Sequence, residues 1–373
     1  MRATAILVCV AALALRADAA QRMTVAQLQQ TVASAHGMSD AEVAAQLAAV
    51  ELTERLSAAG MAQLGAGLPG NKAREQLVIV ADASAFLAPP DAEIGTGPTP
   101  DAAALRAMMV KVVDYVNNTV RQLPNFIATR STTAFEDRPQ EDALEATGVV
   151  SYSAVPLHEM GSTSVRVTYR DRREVVDEGA ARNDRHGNQA GGLVTAGEFG
   201  PMLSRVVADA IQGKIMWGRW EKAADGDVAV FRYQVPPEKS HYKVEFCCVR
   251  DAVDMSGGVD DLHVFSETAS YHGEIAFDAA TGAILRISME AEMPQGELIS
   301  KAAMLVEYGP VDIGGKQFTC PSRSISILQA HTTQQKGMYS RANYQGSAKT
   351  FLNDVEFRQY RRFGTETRIL DTN

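Results

Sequence analysis

Between Tyr271 and Glu292 the chain alternates in polarity twice. Tyr271, Gly273, Ile275 and Phe277 interleave with His272, Glu274, Ala276 and Asp278; Ala283, Leu285, Ile287, Met289 and Ala291 interleave with Ile284, Arg286, Ser288, Glu290 and Glu292. Successive side chains of a strand point to opposite faces, so a period of two predicts two strands, each with one dry face and one wet face. Asp278-Ala279-Ala280-Thr281-Gly282 joins them, short enough for a hairpin and ending on a glycine where a left-handed residue is needed. A dry sheet face must be covered, and that requirement organises the reading of the rest of the chain.

Further alternating runs predict strands at Phe126–Glu136, Val149–Val155, Ser164–Asp171, Ile215–Glu221, Val228–Val235, His241–Cys248, Ala302–Tyr308, Gln317–Cys320, Arg323–Leu328 and Asn353–Phe363. Most connections are short, among them Pro236-Pro237-Glu238-Lys239 and Asp312-Ile313-Gly314-Gly315. Short connections make an antiparallel meander, because parallel neighbours need a crossover of about a dozen residues. Two amphipathic helices, 102–121 and 198–211, are positioned to cover the sheet. The first carries Leu105, Met108, Met109, Val112, Val116 and Val120 on one stripe; the second carries Phe199, Leu203, Val206, Val207 and Ala210 behind a capping box at Thr195–Glu198. The fold class is α+β: a curved antiparallel sheet, an unclosed barrel, wrapped on amphipathic helices.

A small helical segment, 22–88, precedes that domain. Capping boxes open helices at Thr24–Gln27 and Ser39–Glu42, and Pro89, Pro90, Gly95, Gly97, Pro98 and Pro100 mark 89–101 as a linker to the main domain, 102–373. The segment reads either as a cap on that domain or as a docking module for an envelope partner. Residues 1–19, with Arg2, an apolar run from Ala3 to Leu15 and Ala17-Asp18-Ala19, read as a secretory signal peptide. The apolar run is too short for the span of about 20 residues that crosses a bilayer. The expected location is periplasmic or secreted, with no transmembrane span after cleavage. The formal charge of −9, with no basic cluster, argues against a nucleic-acid partner.

An exported chain can hold a disulfide, but Cys247, Cys248 and Cys320 cannot all pair within one molecule. Strand parity places Cys248 with Tyr242, Val244 and Phe246 and places Cys320 with Phe318, which makes Cys248 with Cys320 the candidate bridge; three unpaired thiols is the alternative. Trp217 and Trp220, three apart on a strand, fall on opposite faces. The sequence contains no His-Glu-x-x-His, Gly-x-Ser-x-Gly, Cys-x-x-Cys or EF-hand loop. Gly309–Lys316 departs from a phosphate loop in its glycine spacing and reads as a hairpin turn. Asp251, Asp254, Asp260, Asp261 and His263 form an acidic loop, and Asp184, Arg185 and His186 lie in a polar stretch at 176–197. Neither fills a known ligand or catalytic spacing, so no metal, no cofactor and no catalytic residue is assigned, and the chain is not read as an enzyme.

The order of signal peptide, amphipathic helix and meander, with Tyr271–Asp278 and Thr281-Gly282 at the hairpin, resembles the outer-membrane lipoprotein carriers (LolA/LppX-like). The runs Leu123–Arg130 and Gly197–Pro201 are similar to those of a family of exported bacterial proteins. The carrier resemblance covers 102–363, is one of order and pattern, and has no counterpart for the N-terminal helices. It implies an apolar cleft on the concave face that binds an acyl chain or another apolar, lipid-like ligand, lined by Phe199, Leu203, Trp220, Phe231, Tyr233, Leu285 and Ile287. Two alternatives stay open: an envelope structural or interaction protein whose helices fill the concavity, and an envelope hydrolase.

Overall fold

The structure is a computed structural model that describes residues 20–145, 148–176, 198–223, 226–250, 262–294, 297–331 and 347–363. The expected signal peptide, the capping residue Thr195, the stretch with Asp184 and His186 and the acidic loop 251–261 lie outside them. In chain order the elements are β1 (Gln21–Met23), α1 (Val25–Ser34), α2 (Asp40–Ala48), β2 (Val50–Leu52), α3 (Ala58–Ala66), α4 (Asn71–Ala83), α5 (Ala102–Gln122), β3 (Phe126–Arg138), β4 (Glu141–Glu145), β5 (Gly148–Tyr152), β6 (Val155–Arg170) and β7 (Arg173–Val176). There follow α6 (Pro201–Gln212), β8 (Lys214–Ala223), β9 (Gly226–Val235), β10 (Lys243–Arg250), β11 (Leu262–Thr268), β12 (Tyr271–Asp278), β13 (Ile284–Ala291), β14 (Ile299–Asp312), β15 (Gln317–His331) and β16 (Ala348–Arg362).

Ten strands form one antiparallel sheet in the order β7-β6-β3-β16-β15-β14-β13-β12-β9-β8. Its two edges, β7 and β8, do not pair with each other, so the sheet is open. Alternation sorts its side chains as the sequence requires. On the inner face Ala229, Phe231 and Tyr233 of β9, Tyr271, Ile275 and Phe277 of β12, and Ala302, Met304 and Val306 of β14 form one core with Val112 and Val116 of α5 and Leu203, Val206 and Val207 of α6. Full burial of such a side chain contributes about 1.5–3 kcal/mol, so this helix-on-sheet layer is the main source of stability. The predicted turn at Gly282 is present at φ +78, and the hairpin tip touches α5, where Lys111 Nζ donates to the Ala279 carbonyl at 3.2 Å.

Several expectations are corrected. The strand predicted at His241–Cys248 does not join the meander; β10 pairs with β11 in a separate hairpin, whose Val244 and Phe246 pack into the inner core. The strand predicted at Val149–Val155 is likewise part of a small hairpin, β4 with β5. Gln317–Cys320 and Arg323–Leu328 are one continuous strand. The second covering helix starts at Pro201 instead of 198, with Gly200 as its cap residue, and Glu198 before it is buried against Arg130 at 3.6 Å. Cys320 is a buried free thiol, so the bridge expected with Cys248 is not made; the Cys248 side chain lies outside the described residues.

The outer face is the larger surprise, because its centre is not wet. Ile325 and Ile327 of β15, Leu305 of β14, Leu352 of β16 and Phe135 of β3 point outward and are buried under Ile79, Ala85 and Phe86 from α4 and the turn after it. The helical segment thus has its own core, around Leu28, Leu47, Leu64 and Leu77, and also caps the sheet. Both expected capping boxes are formed, at Thr24 and Ser39. Helix α4 starts at Gly70 with no cap of its own, and Asp40 of α2 supplies one by accepting the Lys72 and Ala73 N–H groups at 3.1 and 2.9 Å. Residues 89–101 are not a free linker either. Ile94 bridges Glu221, and Gly95 N–H donates to the Trp220 carbonyl at 2.9 Å, which lays the chain along the β8 edge.

Gly273 shows how tightly the sheet is made. Tyr233 crosses it to donate its hydroxyl to the Ser288 carbonyl at 2.7 Å, and Ser288 Oγ accepts the Glu274 N–H at 3.0 Å, filling a gap where β12 and β13 do not pair. A Cβ at Gly273 would overlap the Ser288 carbonyl oxygen and press on the Tyr233 hydroxyl. Overpacking of this kind costs about 1–3 kcal/mol. Gly273→Ala is therefore expected to lose about 2 kcal/mol or more of unfolding free energy in urea titration, and Gly309→Ala, where a Cβ meets nothing, to lose far less.

Candidate functional site

Two β-bulges set the chemistry of the outer face. Pairing of β8 with β9 slips between Trp217 and Arg219, leaving Gly218 as the extra residue. Trp217 and Trp220, expected on opposite faces, therefore lie together on the inner side, with ring centroids 4.9 Å apart, while Arg219 and Glu221 turn outward. The second slip lies between Ala276 and Phe277, opposite Leu285. It sends Ile284 into the core and leaves Leu285 36% exposed on the outer side, which corrects its expected place in an inner cleft.

The outward groups meet in a buried ionic knot. Glu221, with 7% of its side chain exposed, takes Arg55 Nη2 at 2.8 Å, Arg219 Nη2 at 2.5 Å and Arg286 Nη2 at 3.0 Å. Arg219 also reaches Glu274 at 2.6 Å. Burial pushes the Glu221 carboxyl up, but Arg286, Arg55 and Arg219 overcome it and hold it at about 2, against an ordinary 4.5. Glu274 is lowered in the same way: burial opposes and Arg219 prevails. Arg55 comes from the helical segment, Arg219 from β8 and Arg286 from β13, so one carboxylate joins three parts of the chain.

A second knot has the opposite balance. Arg323 of β15 binds Asp354 through Nε and Nη2 at 2.8 and 3.0 Å, and Asp82 of α4 through Nη2 at 2.5 Å. Burial, then Asp354, raise the Asp82 carboxyl well above its ordinary value despite Arg323, and Glu307 adds to the rise.

Around these knots the helical segment leaves two clefts against the sheet. One, of about 510 Å³, is lined by Phe86, Leu87, Met216, Arg232, Gln234, His272, Glu290 and Glu292 among others. The other, of about 430 Å³, is lined by Leu56, Met61, Asp82, Leu285, Glu307, Arg323 and Ile325 among others. Arg55, Ala85, Arg286 and Leu305 contribute to both and form the ridge between them. Their linings mix charge with apolar surface, which suits a polar ligand or a peptide better than an acyl chain.

Of the residues expected to line an apolar inner cleft, Phe199, Leu203, Phe231, Tyr233 and Ile287 are at most 2% exposed. Phe199 packs in a separate aromatic cluster with Phe126, Tyr169 and Phe357 near Cys320. Leu203, Phe231, Tyr233 and Ile287 belong to the main core. Trp220 is half-buried and donates its indole N–H to the Pro98 carbonyl at 3.0 Å. The sequence reading missed Arg55, Asp82, Arg219, Glu221 and Arg323. Gly218 inside an alternating strand is the signal that could have placed Arg219 and Glu221. Arg55 and Asp82 have none, because their partners lie 166 and 241 residues away. Among the described residues no group of three or more His, Cys, Asp or Glu side chains is arranged to hold a metal, and no helix is long and apolar enough to cross a membrane.

No protein-family model matches the chain, and no curated protein matches it. Among solved structures, one of MucB in complex with MucA(peri) is similar at a TM-score of 0.19 and 11% identity, over 67% of this chain and 94% of that one. At that score the likeness carries no argument about fold or role. The open antiparallel sheet with helices on its inner face is established by the strand pairing itself.

Glu221 makes the clasp acid-sensitive. A carboxyl whose folded value lies below its unfolded one adds stability above the unfolded value and loses it as pH falls toward the folded one. The window here runs from 4.5 down to about 2, and Glu274 acts in the same direction. Asp82, whose carboxyl is raised, acts in the opposite direction, so the contribution of Glu221 is read as a difference. In urea titrations Glu221→Gln is expected to be less stable at pH 7, because three arginines lose their shared anion, and the gap to the unsubstituted chain to narrow by about 2 kcal/mol between pH 5 and pH 3.

Proposed function

We propose that this chain is an exported, non-enzymatic binding protein that recognises an envelope partner in the mixed-polarity groove between its helical segment and the outer sheet face. The observation that carries this reading is the burial of Phe199, Leu203, Phe231, Tyr233 and Ile287 at no more than 2% exposure. Residues that are fully packed against one another cannot also line a lipid cleft. The interaction-protein reading is therefore preferred to the lipid carrier. Export rests on Arg2, the apolar run behind it and Ala17-Asp18-Ala19. The absence of enzymatic activity is part of the proposal and rests on the lack of a catalytic motif in the sequence.

Met216 lies in the larger groove at 42% exposure, and Val110 lies on α5 at 59%. A photo-crosslinking side chain at Met216 is expected to capture a partner of defined mass in cells of the host, and the same group at Val110 to capture none. Native mass spectrometry of the purified full chain is expected to show no bound lipid. Stoichiometric lipid, or equal capture at both positions, would overturn the proposal.

A further inference from the structure

Strand β8 is an edge of the ten-stranded sheet, and the chain itself uses only half of that edge. Gly95 N–H donates to the Trp220 carbonyl, so Trp220 turns its backbone away from β9 and toward the open side. Trp220, Trp217 and Ile215 oppose Ala229, Phe231 and Tyr233, which are alternate residues of β9. In an antiparallel pair such alternate positions share one hydrogen-bonding state, so Ile215 and Trp217 also present N–H and C=O to the open side. The strap of residues 94–98 meets the edge at Trp220 and Glu221. Among the described residues nothing pairs with Ile215 or Trp217. Free backbone groups on a sheet edge are a template for another strand.

We propose that the Lys214–Trp217 half of the β8 edge takes up an extended segment of the partner protein as an added antiparallel strand, apolar on its inner face and acidic beside Lys214. This rests on the partner reading above and names its mode. The strap sets the direction, because Ile94 bridges Glu221 antiparallel on the same edge. Side chains set the pattern. Ile215 and Trp217 turn inward against the main core, so alternate residues of the added strand meet apolar surface. Met216 turns outward into the larger groove. Lys214 is exposed on that same face and makes no ion pair among the described residues, so it favours an acidic neighbour. Beyond it a cleft of about 480 Å³, lined by Gln212, Lys214, Pro236, Lys239 and Glu292 among others, leaves room for the segment to continue. A second copy of this chain is obstructed. Pairing two-fold, it would drive its own α6, which ends at Gln212 just before β8, or its own strap into the strap of the first copy.

The probe is acetyl-Thr-Val-Thr-Val-Glu-Val-Thr-amide, read by amide hydrogen exchange in the full chain. At a concentration about ten times its Kd the peptide is expected to slow exchange at Ile215 and Trp217 about tenfold. Methylating its valine nitrogens, which face β8 in this register, is expected to abolish that protection; methylating the intervening nitrogens is expected to leave it. Lys214→Glu is expected to weaken binding about threefold, as for an exposed ion pair, and a peptide with lysine in place of its glutamate to restore it. No binding at millimolar concentration, or protection that survives methylation of the valine nitrogens, would overturn the proposal. So would protection that appears without peptide as the protein is concentrated, which assigns the edge to a second copy. Capture of a partner at Met216 in cells, without peptide protection of the edge, removes strand addition and leaves the partner reading standing; loss of that capture removes both.

Discussion

A single buried carboxylate decides how the parts of this protein sit together. Glu221 lies where the helical segment, the last strand of the sheet and the central hairpin meet, and each sends it one arginine. Removing charges from water is expensive, and such a cluster is tolerated only when every member is paired. The geometry is therefore close to all-or-none. A shift of the helical segment would strand Arg55, and a slip of β8 would strand Arg219. The knot adds specificity to a contact whose affinity comes from Ile79, Ala85 and Phe86 packed on Leu305, Ile325, Ile327 and Leu352.

This double coverage of the sheet changes what the protein can do. A curved open sheet with helices on its inner face suggests a vessel. Here α5, α6 and the β10–β11 hairpin crowd the inner face, and their side chains interlock with those of the strands. Two clefts among the described residues lie outside, where α3, α4 and the turn after it meet a surface that mixes arginine, glutamate and aliphatic groups. The two knots differ in charge balance: around Glu221 three arginines meet two carboxylates, and around Arg323 one arginine meets Asp82 and Asp354.

Much of the architecture was legible in the amino-acid order. Period-two alternation identified most strands, amphipathic stripes identified both covering helices, and the capping boxes at Thr24 and Ser39 marked helix starts that the structure contains. These signals are local, because they depend on contacts within a few residues and on one face being wet. They failed where that premise failed. Arg323-Ser324-Ile325-Ser326-Ile327 turns its isoleucines outward because helices cover that side, and one extra residue at Gly218 or Leu285 reverses the parity on which the reading of Trp217, Trp220 and Leu285 depended. Cys320 shows the same limit, since parity gives the face of a thiol and not its neighbour.

The sequence by itself determined an antiparallel α+β chain with an amphipathic layer of helices and a separate helical segment, because repeat period and turn chemistry act through nearest neighbours. Tertiary structure alone decided that the segment folds back onto the outer face, that the core residues of the inner face are packed under α5, α6 and the β10–β11 hairpin, and that Arg55 finds Glu221 and Asp82 finds Arg323. Those choices depend on which surfaces exclude water together across hundreds of residues, and no local pattern encodes the partner of a charge that far away.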